Sequence, residues 1–268
     1  MNYVFRKLKM AVLIAATYKN FISIFADYIG LYRRKEMIIT LRDGTEYKIR
    51  SHRVTKTDFY VLNESWLYKL HADLAKQFVL PGSIVVDIGA HIGAFTVYAA
   101  KMAPRVKVYS FEPEKENFKL LLDNVSLNKL GERVAVFNKA VAGTARKMDL
   151  FKSTTDTGQH TFFEKRLSFE NVDHKKDMVD CTTLKNVFDE NRIETIDLIK
   201  IDCEGMEYEI LYNTPADYLK RIRALSIEHH WAPGRNYEDL AGYLKKHGFA
   251  VRYPKADFAL MYAYNNKR

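Results

Sequence analysis

The sequence predicts an α/β fold with a mostly parallel, seven-stranded sheet flanked by helices and an antiparallel edge at its C-terminal end. From residue 84 onward, short apolar runs alternate with segments of helical spacing, which is the pattern of successive βα units. The last two apolar runs, 249–253 and 258–264, have no helix between them, so they form the predicted antiparallel edge. We therefore expect three parts: an N-terminal helix (1–35), a hairpin-and-helix cap (36–80) and the main domain (81–268).

The composition is that of a globular protein. Hydrophobic residues make up 47% and charged residues 28% of the 268 positions. No apolar run approaches the roughly 20 residues needed to cross a bilayer. Cys181 and Cys203 lie in apolar runs and lack metal-ligand spacing, so we expect buried thiols in a reducing compartment, the cytoplasm.

The positive charge is concentrated at the front of the chain. The net charge is +9, and residues 1–35 contain seven basic side chains and one acidic side chain. Because little excess charge remains for the main domain, the sequence disfavours a nucleic-acid groove there.

Residues 3–30 carry apolar side chains three and four positions apart, which predicts one continuous helix. Three interpretations fit it: a basic amphipathic helix on the anionic inner membrane surface, a helix that binds a partner, or a helix packed on the main domain. A signal peptide fits less well, because the apolar run 10–16 is short and Lys19 follows it closely.

The cap is predicted from turn and helix-end signals. Segments 37–41 and 47–50 are β-prone, and Asp43-Gly44 between them is a hairpin signal. A helix is predicted over 57–79, beginning at Thr57 or Asp58 and ended by a Pro-Gly pair.

The main domain opens with a strand, a glycine turn and a helix. The segment 83–94 reads Ser-Ile-Val-Val-Asp-Ile-Gly-Ala-His-Ile-Gly-Ala, and helical spacing continues from residue 92 to residue 100. Gly89 and Gly93 allow a tight turn and the close approach of a ligand. A dinucleotide fingerprint would need glycine where His91 stands, so the segment does not predict that class of site.

The alternation continues to the end of the chain. Further strands are predicted at 106–111, 134–137, 196–202 and 222–228, and further helices at 114–128 and 237–247. Residues 142–151 suggest an extra edge hairpin. The polar segment 152–178 lacks a pattern, and a loop of that length is usually functional or disordered.

Polar side chains follow the predicted strands, at the edge where an open α/β sheet binds its ligand. They are Asp87, Glu112, Asn138, Asp202 with Glu204, and Glu228 with His229 and His230. Glu112 lies about twenty residues beyond the glycine turn, where one carboxylate can accept both hydroxyls of a ribose.

The predicted strand 196–202 contains a lysine, Lys200, among apolar residues. A buried ammonium group is costly unless it is paired, so we expect an acidic neighbour, either Asp87, Asp202 or another carboxylate at a strand end.

Three segments together resemble the FkbM family of S-adenosylmethionine (SAM)-dependent methyltransferases. They are Val-Val-Asp-Ile-Gly-Ala-His-Ile-Gly at 85–93, Phe-Glu-Pro at 111–113 and Leu-Ile-Lys-Ile-Asp-Cys-Glu-Gly-Met-Glu at 198–207. The resemblance covers roughly residues 36–264 and departs at His91, where the family usually has Asn. Residues 1–35 and 152–178 lie outside it, and we expect them to influence substrate choice.

This resemblance implies a Rossmann-like class I methyltransferase fold with SAM over the strand ends. The residues expected to hold SAM are Asp87, Gly89, Ala90, His91, Gly93, Glu112, Asn138, Ala140 and Asp202. It also implies methylation of a hydroxyl group, with a small-molecule, glycan or glycolipid acceptor: a sugar of a glycolipid, a polysaccharide or a secondary metabolite. A nucleic-acid partner is not expected.

Four residues are candidates for removing the hydroxyl proton. His229 and His230 suit the task by their ordinary pKa of about 6.5, whereas Asp202 and Glu204 suit it by position. A metal site is not expected, because no recognised ligand spacing is present.

Two other classes of function stay open: an RNA methyltransferase, which would need a basic channel, and a SAM-binding module without catalysis.

Overall fold

A computed structural model describes residues 3–170, 175–254 and 259–265. The strands among them are β1 (Glu36–Thr40), β2 (Glu46–Arg50), β3 (Ile84–Ile88), β4 (Lys107–Phe111), β5 (Val134–Phe137), β6 (Ala140–Ala142), β7 (Lys147–Phe151), β8 (Lys176–Thr183), β9 (Leu198–Ile201), β10 (Ala224–Glu228), β11 (Phe249–Arg252) and β12 (Leu260–Asn265). The helices are α1 (Tyr3–Thr17), α2 (Phe21–Tyr28), α3 (Thr57–Trp66), α4 (Ala72–Phe78), α5 (Ala94–Met102), α6 (Lys115–Leu127), α7 (Leu184–Glu190), α8 (Glu207–Tyr212), α9 (Ala216–Leu219) and α10 (Tyr237–Lys246), and a 3₁₀-helix spans Glu164–Glu170.

The central sheet has seven strands in the order β11-β12-β10-β9-β3-β4-β5. The five strands from β10 to β5 are parallel, whereas β12 is antiparallel to β10 and to β11. The predicted α/β class, the seven strands and the antiparallel edge are therefore confirmed. The strand order reverses between β3 and β9, and the crevice at such a switch point is where open α/β sheets bind ligands.

Apolar side chains cover both faces of the central sheet. Val85 belongs to a core that includes the cap, α5 and α6, while Val86 belongs to a second core on the opposite face. This accounts for the near-continuous apolar runs of the parallel strands, which are buried on both sides.

The predicted helix over 3–30 is interrupted, and this part of the prediction is wrong. The chain forms α1 and α2, separated by a turn at which Tyr18 bridges to Leu41 of the hairpin. The Asn20 side chain accepts from the Thr40 amide at 2.9 Å and donates to the Ile38 carbonyl at 2.7 Å. These bonds join the turn to the edge of β1, a long-range constraint that helical periodicity does not contain.

The predicted helix over 57–79 is likewise two helices, α3 and α4, with Lys69 in the left-handed region between them at φ 52°. Lys56 is the N-cap of α3. Asp58, expected as a possible cap, instead accepts from the Arg50 guanidinium at 2.7 and 2.9 Å. This buried bidentate ion pair fixes the hairpin to α3.

A small separate sheet, in the order β6-β8-β7, replaces the expected hairpin over 142–151. The strand β8 lies between β6 and β7, so those two strands do not pair with each other. Part of the segment 152–178 is thus ordered as β8 and the 3₁₀-helix. Residues 171–174 of that segment, and Phe258 of the last predicted strand, lie outside the described residues.

Candidate functional site

A cavity of about 600 Å³ lies over the C-terminal ends of β3, β4, β9 and β10. Its floor includes Gly89, Glu112 and Asp202. Residues of α3, such as Tyr60 and Glu64, and residues of the segment 156–166 cover it from the other side. Five of the polar residues predicted at the strand ends therefore line one cavity at the switch point: Glu112, Asp202, Glu204, Glu228 and His230.

Two glycines shape the turn after β3. A Cβ atom on Gly89 would lie 1.7 Å from the Asp202 carbonyl oxygen, so only glycine lets this turn approach the end of β9. A Cβ atom on Gly93 would lie 2.6 Å from Cδ1 of Leu121, which makes Gly93 a packing position between α5 and α6. Gly89 lines the cavity, whereas Gly93 and Ala90 are not among its lining residues.

His91 takes the place where a dinucleotide site would have glycine. Its φ is 50°, its ring is buried and its backbone N–H donates to Oε2 of Glu112 at 2.8 Å. Its Nε2 lies 3.5 Å from an Arg50 nitrogen. Burial lowers the pKa of His91, which favours a neutral ring in the cavity wall.

Glu112, the residue predicted to bind a ribose, lines the cavity, and two backbone amides orient its carboxylate. Oε1 accepts from the Glu114 amide at 2.9 Å and Oε2 from the His91 amide at 2.8 Å, so the carboxylate is fixed while each oxygen keeps a further lone pair. Burial raises the pKa of Glu112 to about 7, against the lowering effect of those two amides.

Asn138 supports this acid from behind. Its side chain donates to the carbonyls of Glu112 at 2.9 Å and Pro113 at 3.0 Å, and it is not among the cavity-lining residues. Ala140 does line the cavity, together with an apolar set that suits a flat heteroaromatic ring: Phe111, Val141, Leu150 and Phe162.

The acidic partners expected for Lys200 are confirmed. Its ammonium lies 3.0 Å from Oδ2 of Asp202 and 3.7 Å from Oδ1 of Asp87, and it donates to the Gly89 carbonyl at 3.3 Å. Although burial favours the neutral amine, the Asp202 and Asp87 carboxylates raise the pKa of Lys200 above its ordinary value. Asp87 is fully buried beneath the cavity and accepts from the Thr96 hydroxyl at 2.6 Å.

His230 lies at the centre of a group of carboxylates. Its Nδ1 is 2.7 Å from Oε1 of Glu207, and its Nε2 is 3.7 to 3.9 Å from oxygens of Glu204, Glu228 and Asp202. Burial opposes the imidazolium charge, but Glu207 and Glu204 outweigh it and raise the pKa of His230 to about 10. The ring is thus held charged and cannot accept a further proton near neutral pH.

His229 and His230 are neighbours in sequence but are not brought together at the site. The His229 ring stacks on Tyr237 with a centroid distance of 4.6 Å, and only His230 of the two lines the cavity. Burial and the charge of His230 lower the pKa of His229.

Two contributions to the site were not assigned from the sequence. Glu64 of α3 lines the cavity, and burial together with Asp202 raises its pKa to about 7. Arg166, from the patternless segment, forms an ion pair with Glu204. No local sequence pattern marks Glu64 or Arg166 as a site residue, because each one interacts with residues that are far away in the sequence.

Ligand atoms of Asp202, Glu228 and His230 lie within 4.8 Å of one another, a spacing that a metal ion could use. The charges nearby are already compensated, however. Lys200 already forms an ion pair with Asp202 at 3.0 Å, and Nδ1 of His230 lies 2.7 Å from Oε1 of Glu207. The group therefore supports a hydrogen-bonding site better than a metal centre.

The chain is similar in sequence to known methyltransferases. The family model described as "Methyltransferase FkbM domain" matches residues 87–251. The methyltransferase sdnD of Sordaria araneosa is 25% identical over 65% of this chain and 76% of its own length. The 31-O-demethyl-FK506 methyltransferase FkbM of Streptomyces tacrolimicus is 28% identical over 64% of this chain and 74% of its own length.

A shorter similarity extends to an RNA-modifying enzyme. The tRNA (guanine(37)-N(1))-methyltransferase of Saccharomyces cerevisiae is 37% identical over 76 residues, which are 27% of this chain and 15% of that protein. This match covers too little of either chain to indicate a shared acceptor.

SAM binding is predicted to weaken as the pH falls through about 7. Only the ionised Glu112 carboxylate can accept with both oxygens from two ribose hydroxyls, so its protonation weakens affinity by up to about tenfold per pH unit, the limit for one coupled proton. Calorimetric titration at pH 8 and pH 6 measures the effect, and Glu112→Gln should bind weakly at both. The exposed Glu132→Gln serves as matched control. A wild-type affinity that is equal at both pH values contradicts the role of Glu112.

Proposed function

The chain belongs to the FkbM family of SAM-dependent methyltransferases, and we propose that it methylates a hydroxyl group on a sugar of a glycolipid, polysaccharide or secondary metabolite. Methyl transfer from SAM is the activity of the family. Our proposal concerns the acceptor: that its reacting atom is a hydroxyl oxygen and that this hydroxyl belongs to a sugar. The Streptomyces relative is named as a 31-O-demethyl-FK506 methyltransferase, which agrees with an oxygen acceptor.

We assign the two halves of the cavity to the two reactants. Glu112 and the Gly89–His91 turn would hold the ribose and methionine parts of SAM, and the apolar wall at Ala140 and Val141 would hold its adenine. SAM, when bound, supplies an electrophilic methyl group on a sulfonium. Ala90, Gly93 and Asn138 would act indirectly, by fixing the turn and the backbone that carries Glu112.

The observation that carries the proposal is the carboxylate-rich half of the cavity. Glu64, Asp202, Glu204 and Glu228 line it around the charged His230. Carboxylates accept hydrogen bonds from hydroxyl groups, and a sugar offers several in a small volume. Alignment of one hydroxyl with the methyl group would supply much of the rate.

The same carboxylates disfavour RNA as the acceptor. Phosphate groups are attracted to basic grooves, and this side of the cavity presents four carboxyl groups against Lys200, Arg166 and His230. An RNA acceptor stays the alternative that the acceptor screen must distinguish from a sugar.

The acceptor class is tested with isotopically labelled SAM. Methyl glycosides of glucose, mannose, galactose, rhamnose and fucose, a glycolipid extract and transfer RNA are offered in parallel. We expect label in at least one glycoside or in the glycolipid fraction, and reduced incorporation by Glu112→Gln at limiting SAM. Label in RNA alone would establish the alternative. SAM binding without transfer to any acceptor would indicate the non-catalytic module.

We also propose that residues 19–35 contact an anionic membrane surface. No helix within the described residues is long and apolar enough to cross a membrane. The outer face of α2 presents Ile22, which is 71% exposed, and Ile29 and Leu31 follow the helix at 65% and 71%. The cations Lys19, Arg33, Arg34 and Lys35 adjoin this face and are exposed. Apolar side chains flanked by cations are typical of interfacial segments.

The inner face of α2 packs against the rest of the protein, and this packing holds the outer face in a fixed orientation. Ile24 is buried in the core, and Oδ2 of Asp27 accepts from the His52 amide at 2.7 Å. A membrane-bound enzyme of this shape would meet glycolipid acceptors at the surface where they reside.

Membrane contact is tested by flotation of the full chain with vesicles of phosphatidylcholine alone or with 30 mol% phosphatidylglycerol. We expect flotation with the anionic vesicles only and release at about 1 M salt, at which the Debye length falls to about 3 Å. The double variants Ile22→Ser/Ile29→Ser and Arg33→Gln/Arg34→Gln should each lose binding. Lys245→Gln/Lys246→Gln, two exposed cations at the end of α10, is the control. Equal flotation by all variants would contradict the proposal.

A further inference from the structure

The carboxylates around His230 differ in what they are bound to. Asp202 accepts from Lys200 at 3.0 Å, Glu204 pairs with Arg166, and Glu207 accepts from Nδ1 of His230 at 2.7 Å. Glu228 accepts no hydrogen bond from a side chain within the described part of the chain. Its closest charged partner is Nε2 of His230, at 3.8 Å.

Strand register places Glu228 beside the reaction centre. Ile227 of β10 is aligned with Ile201 of β9, so Glu228 and Asp202 follow at the same edge of the sheet. The Glu228 side chain is 30% exposed and lines the cavity. Glu64 contributes to the same cavity from α3. An acceptor between sheet and cap would therefore meet a carboxylate whose lone pairs are available.

We propose that Glu228 is the general base that takes the proton from the acceptor hydroxyl, an inference that rests on the proposed function. As the hydroxyl oxygen forms its bond to the methyl carbon, its proton passes to the Glu228 carboxylate. The bond between that carbon and the cofactor sulfur breaks, and its electron pair stays on sulfur. The products are a methyl ether, S-adenosylhomocysteine and protonated Glu228, which returns its proton to water.

The surroundings of Glu228 suit this role. Burial, reinforced by the neighbouring Asp202 and by Glu64 of the cap, raises the pKa of Glu228 to about 8, while His230 and Lys200 act in the opposite direction. A base with a pKa near the working pH transfers protons most effectively. The alternative bases are less available, because His230 is already protonated and Asp202 is bound to Lys200.

The test compares Glu228→Gln with Glu132→Gln, an exposed glutamate near the opposite edge of the sheet. Labelled SAM and the methyl glycoside that the wild-type enzyme uses best are the probes. We expect Glu228→Gln to lower kcat by about 10² to 10⁴-fold, the usual contribution of a general base, and to remove the rise of kcat with pH near 8. The Kd for S-adenosylhomocysteine should stay close to that of the wild type, which shows that the variant is folded. A kcat within threefold of wild type would overturn the assignment.

A second measurement needs no acceptor and separates this proposal from the acceptor assignment. Glutamate labelled with ¹³C at its carboxyl carbon is followed by NMR in the S-adenosylhomocysteine complex, and the resonance absent from Glu228→Gln is assigned to Glu228. Titration near pH 8 supports the base, whereas titration near 4 to 5 overturns it even if the wild type methylates a sugar. If no sugar is methylated but Glu228 titrates near pH 8, the proposed sugar acceptor is wrong and the assignment of Glu228 as the base stands.

Discussion

The buried ion pairs of Lys200 hold the functional edge of the sheet together. One ammonium group lies between Asp87 of β3 and Asp202 after β9, the two strands at which the strand order reverses. Removing one partner of such a group leaves an uncompensated buried charge, which typically costs about 3–5 kcal/mol. The turn at Gly89, the position of Asp202 and the shape of the cavity floor all depend on this charge balance.

The cap and the segment 153–166 complete the site by polar contacts to each other and to the sheet. Thr57 of α3 donates to Asp156 at 2.6 Å, and Asn117 of α6 donates to the Thr157 carbonyl at 3.1 Å. Arg50 donates to Asp58 and to Asn117, so it joins the hairpin, α3 and α6 beside the proposed cofactor side. The proposed acceptor side combines Asp202 and Glu204, from the family segment 198–207, with Glu64 and Arg166, which lie outside the three family segments.

The sequence was most informative where a local pattern determines the structure. The central strands, the glycine turn and the need of Lys200 for acidic partners follow from burial on both faces and from the cost of an unpaired charge. It was least informative where distant segments meet. Asn20, in the turn between α1 and α2, bonds to β1, and β8 lies between β6 and β7, although neither arrangement has a local sequence signal.

The two adjacent histidines illustrate the same limit at the site. Both follow β10, where strand alternation no longer fixes side-chain direction, so the sequence left them equivalent. Contacts decide between them: Glu207 of α8 holds His230 in the cavity, whereas Tyr237 of α10 holds His229 outside it. Glu64 was overlooked for a related reason, since only tertiary packing brings α3 over the strand ends.

The most direct test of the account is a crystal structure of the protein with S-adenosylhomocysteine. We expect both ribose hydroxyls on the Glu112 carboxylate, adenine against Ala140 and Val141, and the sulfur facing the Asp202, Glu228 and His230 side of the cavity. A nucleoside bound elsewhere, or a sulfur directed away from these side chains, would contradict the division of the cavity into a cofactor half and an acceptor half.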